Sequence, residues 1–182
     1  GWSKNFIKKI LYKIILNLSD KVMVNSYQFK KELDKKFRIN SYAIYNPLNI
    51  QYIKRKSKEK TNLNFFRGNY LKIITIGRLV DQKDHLTILK SINLLDKKSI
   101  RLLIIGRGDN KEKLIQYIKE NKLGSKIKLI PFQRNPYKFL RQADIFLFSS
   151  KFEGLPNVLL EAQCLKKYII STDCPTGPKE IL

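Results

Sequence analysis

The chain has 182 residues, room for one domain of ordinary size and too few for two comfortable ones. With 43% apolar and 29% charged residues it can build a packed core, which excludes wholesale disorder, and no apolar run approaches the ~20 residues that cross a bilayer. Lysine and arginine number 37 against 15 acidic residues, a net charge of +22 that favours an anionic partner: nucleic acid, a lipid surface or a phosphorylated small molecule. The first 60 residues hold 15 of those cations and only 4 of the acids, so this part is about twice as basic per residue as the rest. Two cysteines, Cys164 and Cys174, and a single histidine, His85, make neither a disulfide framework nor a metal-ligand pattern. A reducing cytoplasm is therefore expected, and the opening residues show neither the apolar stretch nor the small-residue cleavage site of a secretory signal.

In chain order, Trp2 to Leu18 places Phe6, Ile7, Ile10, Leu11, Ile14, Ile15 and Leu18 at helical spacing with Lys4, Lys8, Lys9 and Lys13 between them. This predicts a basic amphipathic helix, open to three uses: packing on a neighbouring domain, peripheral attachment to anionic lipid, or nucleic-acid contact. A short strand over 21–25 follows, then a helix capped by Ser26 and running through Phe29, Leu33 and Phe37, then a strand over 41–45 stopped by Asn46-Pro47. Residues 51–70 are polar, aperiodic and heavily charged, and are expected to form a linker.

From Leu71 the rhythm is regular. Strands are expected at Leu71–Ile76, Ile100–Ile105, Lys126–Ile130, Asp144–Phe148 and Tyr168–Ser171, with helices near 84–95, 111–121, 136 and 156 onward. Short Ile, Leu and Phe runs separated by amphipathic helices predict an α/β, Rossmann-like doubly wound parallel sheet with strands buried on both faces. In such sheets ligands bind outside the carboxyl ends of the strands.

Two strand-end loops carry candidate chemistry. In the first, Gly77 allows a sharp turn and Arg78 and Lys83 follow, a planar fork and a point charge suited to a diphosphate; a merely solvated basic loop is the alternative. In the second, Glu153-Gly-Leu-Pro-Asn157 leads into a helix whose first N–H groups suit an anion. A carboxylate beside an anion repels it, so Glu153 makes better sense holding sugar hydroxyls, and Glu161 lies within the helix; both also read as ordinary surface charges. His85 reads as a loop-packing or capping residue, with a catalytic base the alternative, and Gly106-Arg107-Gly108-Asp109 as a strand-to-helix turn.

Gly77-Arg78-Leu79 with Lys83, Gly106-Arg-Gly108, Pro131-Phe-Gln-Arg-Asn-Pro136, Ala143-Asp144 and above all Glu153-x7-Glu161 resemble the retaining glycosyltransferases of family 4, two-domain enzymes of the GT-B fold. The likeness covers 71–182, the C-terminal donor-binding half; 20–50 resembles the closing β-α-β of the N-terminal domain more loosely, and Ser171 to Leu182 is similar to bacterial members that build surface glycans. The resemblance implies that Arg78 and Lys83 bind the diphosphate of a nucleotide-sugar, a UDP-sugar, after the turn at Gly77. It further implies that Glu153 holds donor-sugar hydroxyls, Glu161 holds the ribose, Phe132 to Asn135 frames the base, and backbone amides of Gly154, Leu155 and Asn157 contact phosphate and sugar. No divalent metal or other cofactor is expected, and the acceptor would be a glycan or a lipid-linked saccharide.

On this reading residues 1–50 are a remnant of the acceptor domain, 51–70 the linker, and 71–182 a donor domain incomplete at its C-terminus. The chain is then expected to be truncated at both ends, weakly active or inactive alone, with a partner chain able to supply the N-terminal domain. The expected location is the cytoplasm, with attachment through 2–18 to the inner membrane face as an option. Two readings stand against it: a basic nucleic-acid-binding module, although no helix-turn-helix, zinc finger or RNA-recognition motif is legible, and an inactive remnant adhering to membrane.

Overall fold

A computed structural model describes residues 6–95 and 99–182. The chain divides into two compact units, the larger formed by 48–151 and 157–172, the smaller by 1–47, 152–156 and 173–182.

In the larger unit, strands β3 (Leu71–Ile76), β4 (Ile100–Ile105), β5 (Ile127–Ile130), β6 (Ile145–Phe148) and β7 (Tyr168–Ser171) form one parallel sheet in the order β5-β4-β3-β6-β7. The chain winds outward from β3 through β4 to β5, then returns to the other side of β3 for β6 and β7. That reversal is the signature of a doubly wound sheet, and it places the topological switch between the carboxyl ends of β3 and β6. Ile74, Leu102, Leu103 and Ile104 are fully buried, as expected for central parallel strands covered on both faces. Two-sided burial does not extend to the edge: β7 alternates, with Tyr168 and Ile170 exposed, because an edge strand has fewer neighbours to cover it.

Helices α4 (His85–Leu94) and α5 (Lys111–Glu120) close one core, in which Ile73, Leu79, Ile88, Leu89, Ile92, Leu102, Ile104 and Leu114 pack together. Helix α3 (Ile50–Ser57) lies against α6 (Tyr137–Leu140) and α7 (Asn157–Cys164). The expectation of an aperiodic linker over 51–70 is corrected here. Asn49 caps α3 by accepting from the Tyr52 N–H, Ile53 is buried, and a 3-10 turn at Asn64–Phe66 buries Phe66. One buried isoleucine among lysines and arginines carries too little periodicity to announce a helix; its stability comes from packing.

The smaller unit holds α1 (Phe6–Leu18), the parallel pair β1 (Met23–Val24) and β2 (Tyr42–Ala43) joined through α2 (Tyr27–Phe37), and α8 (Pro178–Ile181). The helix expected over Trp2 to Leu18 is described over Phe6–Leu18; Trp2 and Lys4 lie outside the described residues. No described residue of α1 is buried. Ser26 caps α2 as expected, accepting from the Phe29 N–H at 3.1 Å, and Leu33 and Phe37 bury its inner face. Glu180 also meets that helix start: its carboxylate accepts from the Ser26 hydroxyl at 2.6 Å and from the Tyr27 and Gln28 N–H groups at 2.8 and 2.6 Å. Burial opposes ionisation of Glu180, but these donors together with Tyr45 outweigh it and hold the carboxyl below the ordinary glutamate range.

Candidate functional site

The loop leaving β3 is built to be rigid. Gly77 continues the sheet ladder by donating to Ile105 C=O at 3.0 Å, and Leu79 donates its N–H to Arg107 C=O while its own C=O accepts from Asn110 N–H. The Leu79 side chain is fully buried in the α4–α5 core, so the loop is nailed down in its middle. Gly106 is required by this close approach, because a Cβ there would collide with the Gly77 carbonyl. With Leu79 turned inward, Arg78 stays exposed at the sheet edge.

Across the switch point, the loop after β6 grips the far end of the same turn. The Ser149 hydroxyl bonds the C=O groups of Lys83 and Asp84 at 2.8 and 3.0 Å, and the Lys151 N–H donates to Gln82 C=O. The Lys83 ammonium sits 5.4 Å from the centroid of the Phe148 ring. Gly77, Arg78 and Lys83 are thereby gathered on one strand-end turn.

His85 is buried beneath it, with Cε1 and Nε2 3.9 Å from the position a Gly77 Cβ would take. Burial first, and Lys83 second, push its pKa down to about 4, so the ring is neutral near pH 7. The Nδ1 atom of His85 has no hydrogen-bond partner among the described residues. The packing role read from the sequence fits this position.

At the next strand ends, Phe132 is exposed and carries the Arg107 guanidinium 5.2 Å from its ring centroid. This pairing makes a cationic, flat surface that the sequence reading of 106–109 as a simple turn did not show. Asn135 works as a structural fastener. Its amide donates to Lys56 C=O at 2.9 Å and to Glu59 at 2.8 Å, tying the loop to the end of α3. Asn157 opens α7, and Glu161 stands one turn further along.

Glu161 is half-buried, and the Tyr137 hydroxyl donates to its Oε1 at 3.0 Å. Burial raises the Glu161 carboxyl above its ordinary value, and the phenol's hydrogen bond pulls it partly back. Burial and then the adjacent carboxylate push the Tyr137 phenol far upward, so it remains a donor. Tyr52 of α3 packs edge-on against the Tyr137 ring at 6.3 Å. Neither Tyr137 nor Tyr52 stands out in the sequence, because nothing in their spacing points to the acid.

Glu153, Gly154 and Leu155 belong to the smaller unit, where their backbone is held by the C-terminal turn. The Glu153 N–H donates to Pro175 C=O at 3.2 Å, its C=O accepts from the Thr176 hydroxyl, and Leu155 C=O accepts from the Asn46 amide at 3.5 Å. Gly177, at φ 84°, lies against the Gly154 carbonyl with no room for a Cβ. Cys174, next to Pro175 in this segment, is a buried free cysteine. Among the described residues no three His, Cys, Asp or Glu side chains gather as a metal site.

Known proteins place this arrangement in a family. The family model "Glycosyl transferases group 1" matches residues 56–182. An uncharacterized glycosyltransferase of Methanocaldococcus jannaschii is 34% identical over 95% of this chain and 44% of its own length. The Campylobacter jejuni N-acetylgalactosamine-N,N′-diacetylbacillosaminyl-diphospho-undecaprenol 4-alpha-N-acetylgalactosaminyltransferase is 29% identical over 97% of this chain and 48% of its own length. Among solved structures, HepE of Anabaena in complex with UDP superposes with a TM-score of 0.80 at 16% identity, over 96% of this chain and 50% of that one, which shows a shared fold. The chain thus spans about half the length of the relatives it matches. With a doubly wound sheet, its strand-end loops and a family match over most of its residues, the chain belongs to the Glycosyl transferases group 1 family.

Proposed function

We propose that the chain is the donor-binding part of a retaining family 4 glycosyltransferase, taking a UDP-sugar and delivering the sugar to a glycan or lipid-linked acceptor in cell-surface polysaccharide synthesis. The observation that carries this reading is the turn at the sheet's switch point, where buried Leu79 and Ser149 fix Arg78 and Lys83 at the strand ends. The UDP complex of the Anabaena neighbour supports the choice of nucleotide. The diphospho-undecaprenol in the Campylobacter relative's name supports a lipid-linked acceptor.

The division of labour follows from the chemistry. As the glycosidic bond to phosphate breaks, positive charge grows on the sugar and negative charge on the leaving diphosphate. A guanidinium fork and an ammonium already fixed beside that diphosphate stabilise the charge as it develops, without reorganising at the moment of reaction. Arg78 and Lys83 take this role, which protein cations can fill without a metal. Glu153 holds donor-sugar hydroxyls, helped by the backbone amides of Gly154, Leu155 and Asn157, while Glu161 holds the ribose. Phe132, with Arg107 beside it, frames the base; Asn135 supports that loop through α3. Residues 1–50 act as the end of an acceptor-side domain, with the remainder of the enzyme supplied by further sequence or by a partner chain.

Peripheral attachment to the cytoplasmic membrane face through α1 is part of this proposal. Phe6, Ile7, Ile10, Leu11, Ile14, Ile15 and Leu18 are all exposed beside Lys8, Lys9 and Lys13, a composition suited to anionic lipid. Flotation with anionic liposomes should fall on deletion of residues 2–18, and unchanged flotation refutes this part.

Calorimetric titration with UDP tests the donor site. Arg78→Ala and Lys83→Ala should each weaken binding about tenfold or more, since each removes hydrogen bonds to a charged group. Unchanged affinity in both variants refutes the reading. RNA binding that persists at moderate salt, with no UDP binding, would favour the nucleic-acid alternative.

A further inference from the structure

The terminal torsion of a glutamate is broad, so a carboxylate that must meet a sugar hydroxyl needs something to set its angle. For Glu161 the structure supplies that device. The Tyr137 O–H takes Oε1 at 3.0 Å, leaving Oε2 as the oxygen the phenol does not engage. The Tyr137 ring meets Tyr52 edge-on at 6.3 Å, and buried Phe139 and Leu140 anchor the helix α6 that carries it. On the other side, α7 is anchored by fully buried Leu159 and Ala162, which flank Glu161 in sequence. Tyr137 also follows directly on the loop 131–136, so α6 ties that loop to the acid.

We propose that Tyr137 is a positioning residue for Glu161, and that the pair makes the site discriminate a ribonucleotide from its 2′-deoxy analogue. The inference rests on the donor-site reading, in which Glu161 meets the ribose. With Oε1 already satisfied and its angle fixed, Oε2 presents one well-aimed acceptor. A ligand lacking the 2′-hydroxyl leaves that acceptor unpaired in a half-buried place, and a site built around a hydroxyl rejects the analogue without it. Removing the phenol oxygen frees the carboxylate to turn and leaves Oε1 unsatisfied, so the preference for ribose should fade.

The test is calorimetric titration of the chain with UDP and with 2′-deoxy-UDP, in the parent, Tyr137→Phe, Glu161→Gln and the double variant, with circular dichroism and thermal unfolding recorded for each. The parent should prefer UDP by about tenfold, the worth of one hydrogen bond to a charged group. Tyr137→Phe should weaken UDP about fivefold and bring the two ligands within about twofold of each other, while the circular dichroism stays that of the parent. In the Glu161→Gln background, Tyr137→Phe should cause no further loss. If Tyr137→Phe keeps the parent's discrimination while Glu161→Gln abolishes it, the phenol only packs, and the inference falls while the donor site stands. If UDP affinity is untouched by Glu161→Gln and by Arg78→Ala, the donor-site reading fails and takes this inference with it.

Discussion

Replacing Leu79 by alanine probes the link between the core and the turn proposed to hold a diphosphate. Leu79 lies outside any regular element yet is fully buried, among Ile73, Leu89, Leu102 and Leu114. Burying such a side chain is worth roughly 1.5–3 kcal/mol in transfer alone, and truncation adds a cavity cost that depends on how far the surroundings collapse. Collapse is impeded here. The Leu79 backbone is pinned to Arg107 and Asn110, and the neighbouring strand end leaves no slack at Gly106. Leu79→Ala should therefore fall in the middle of the measured range for such changes, about 3–4 kcal/mol. Urea unfolding followed by circular dichroism reads this as a lower midpoint at unchanged slope. A second effect is expected under native conditions: with its central anchor shortened, the turn should hold Arg78 and Lys83 less firmly, and UDP affinity should drop several-fold. A stability loss below about 1 kcal/mol would mean that Leu79 is not the core anchor described, and the mechanical argument for the turn would be wrong.

Three further outcomes follow. Gly106→Ala forces a methyl group into the Gly77 carbonyl, so UDP binding should fall by more than tenfold and stability by about 1–3 kcal/mol, as for overpacking; parent-like calorimetry would contradict the close approach. His85 has a folded pKa of about 4 against 6.5 when unfolded, so the unfolded chain takes up the proton first and stability is lost as pH falls between these values. Between pH 7.5 and 4.5 the parent should lose roughly 2 to 3 kcal/mol more than His85→Phe, measured by urea unfolding; equal pH slopes would show that the ring is not buried neutral. Glu180 has its folded pKa depressed, so its contribution is present above the ordinary glutamate value of 4.5 and disappears as pH falls through the lower folded value. Glu180→Gln should speed exchange of the Tyr27 and Gln28 amides at neutral pH by about tenfold, with the gap closing in acid; equal exchange at neutral pH would remove Glu180 from the α2 cap.

The central strands are legible because burial on both faces demands near-continuous apolar runs, and Leu71–Ile76 and Ile100–Ile105 are interrupted only at Lys72, Thr75 and Arg101. The Ser26 cap was equally legible, since a cap depends on a residue type beside a helix it starts. Helix α3 is not legible in the sequence because Ile53 is its one buried apolar residue, set among lysines and arginines, while its other anchors, Tyr52 on Tyr137 and Asn135 on Lys56, come from distant segments. The strand read over 41–45 shrinks to Tyr42 and Ala43, because Ser41 turns aside to give both its N–H and its hydroxyl to Asp34. Candidate residues that share one turn, such as Arg78 and Lys83, can be named from local spacing alone. Partners joined only by folding cannot: Tyr137 and Glu161 are 24 residues apart, and Ser26 and Glu180 are 154 apart.

Isotope-labelled chain titrated with UDP, with backbone amide shifts followed residue by residue by NMR, addresses the donor site most directly. Saturable shifts should concentrate at Gly77, Arg78, Lys83, Phe132 and the α7 segment from Asn157 to Glu161. Shifts confined to the lysine-rich surface around Lys54–Lys60, or no saturable shift at any ligand concentration, would contradict a nucleotide site at the switch point of this sheet.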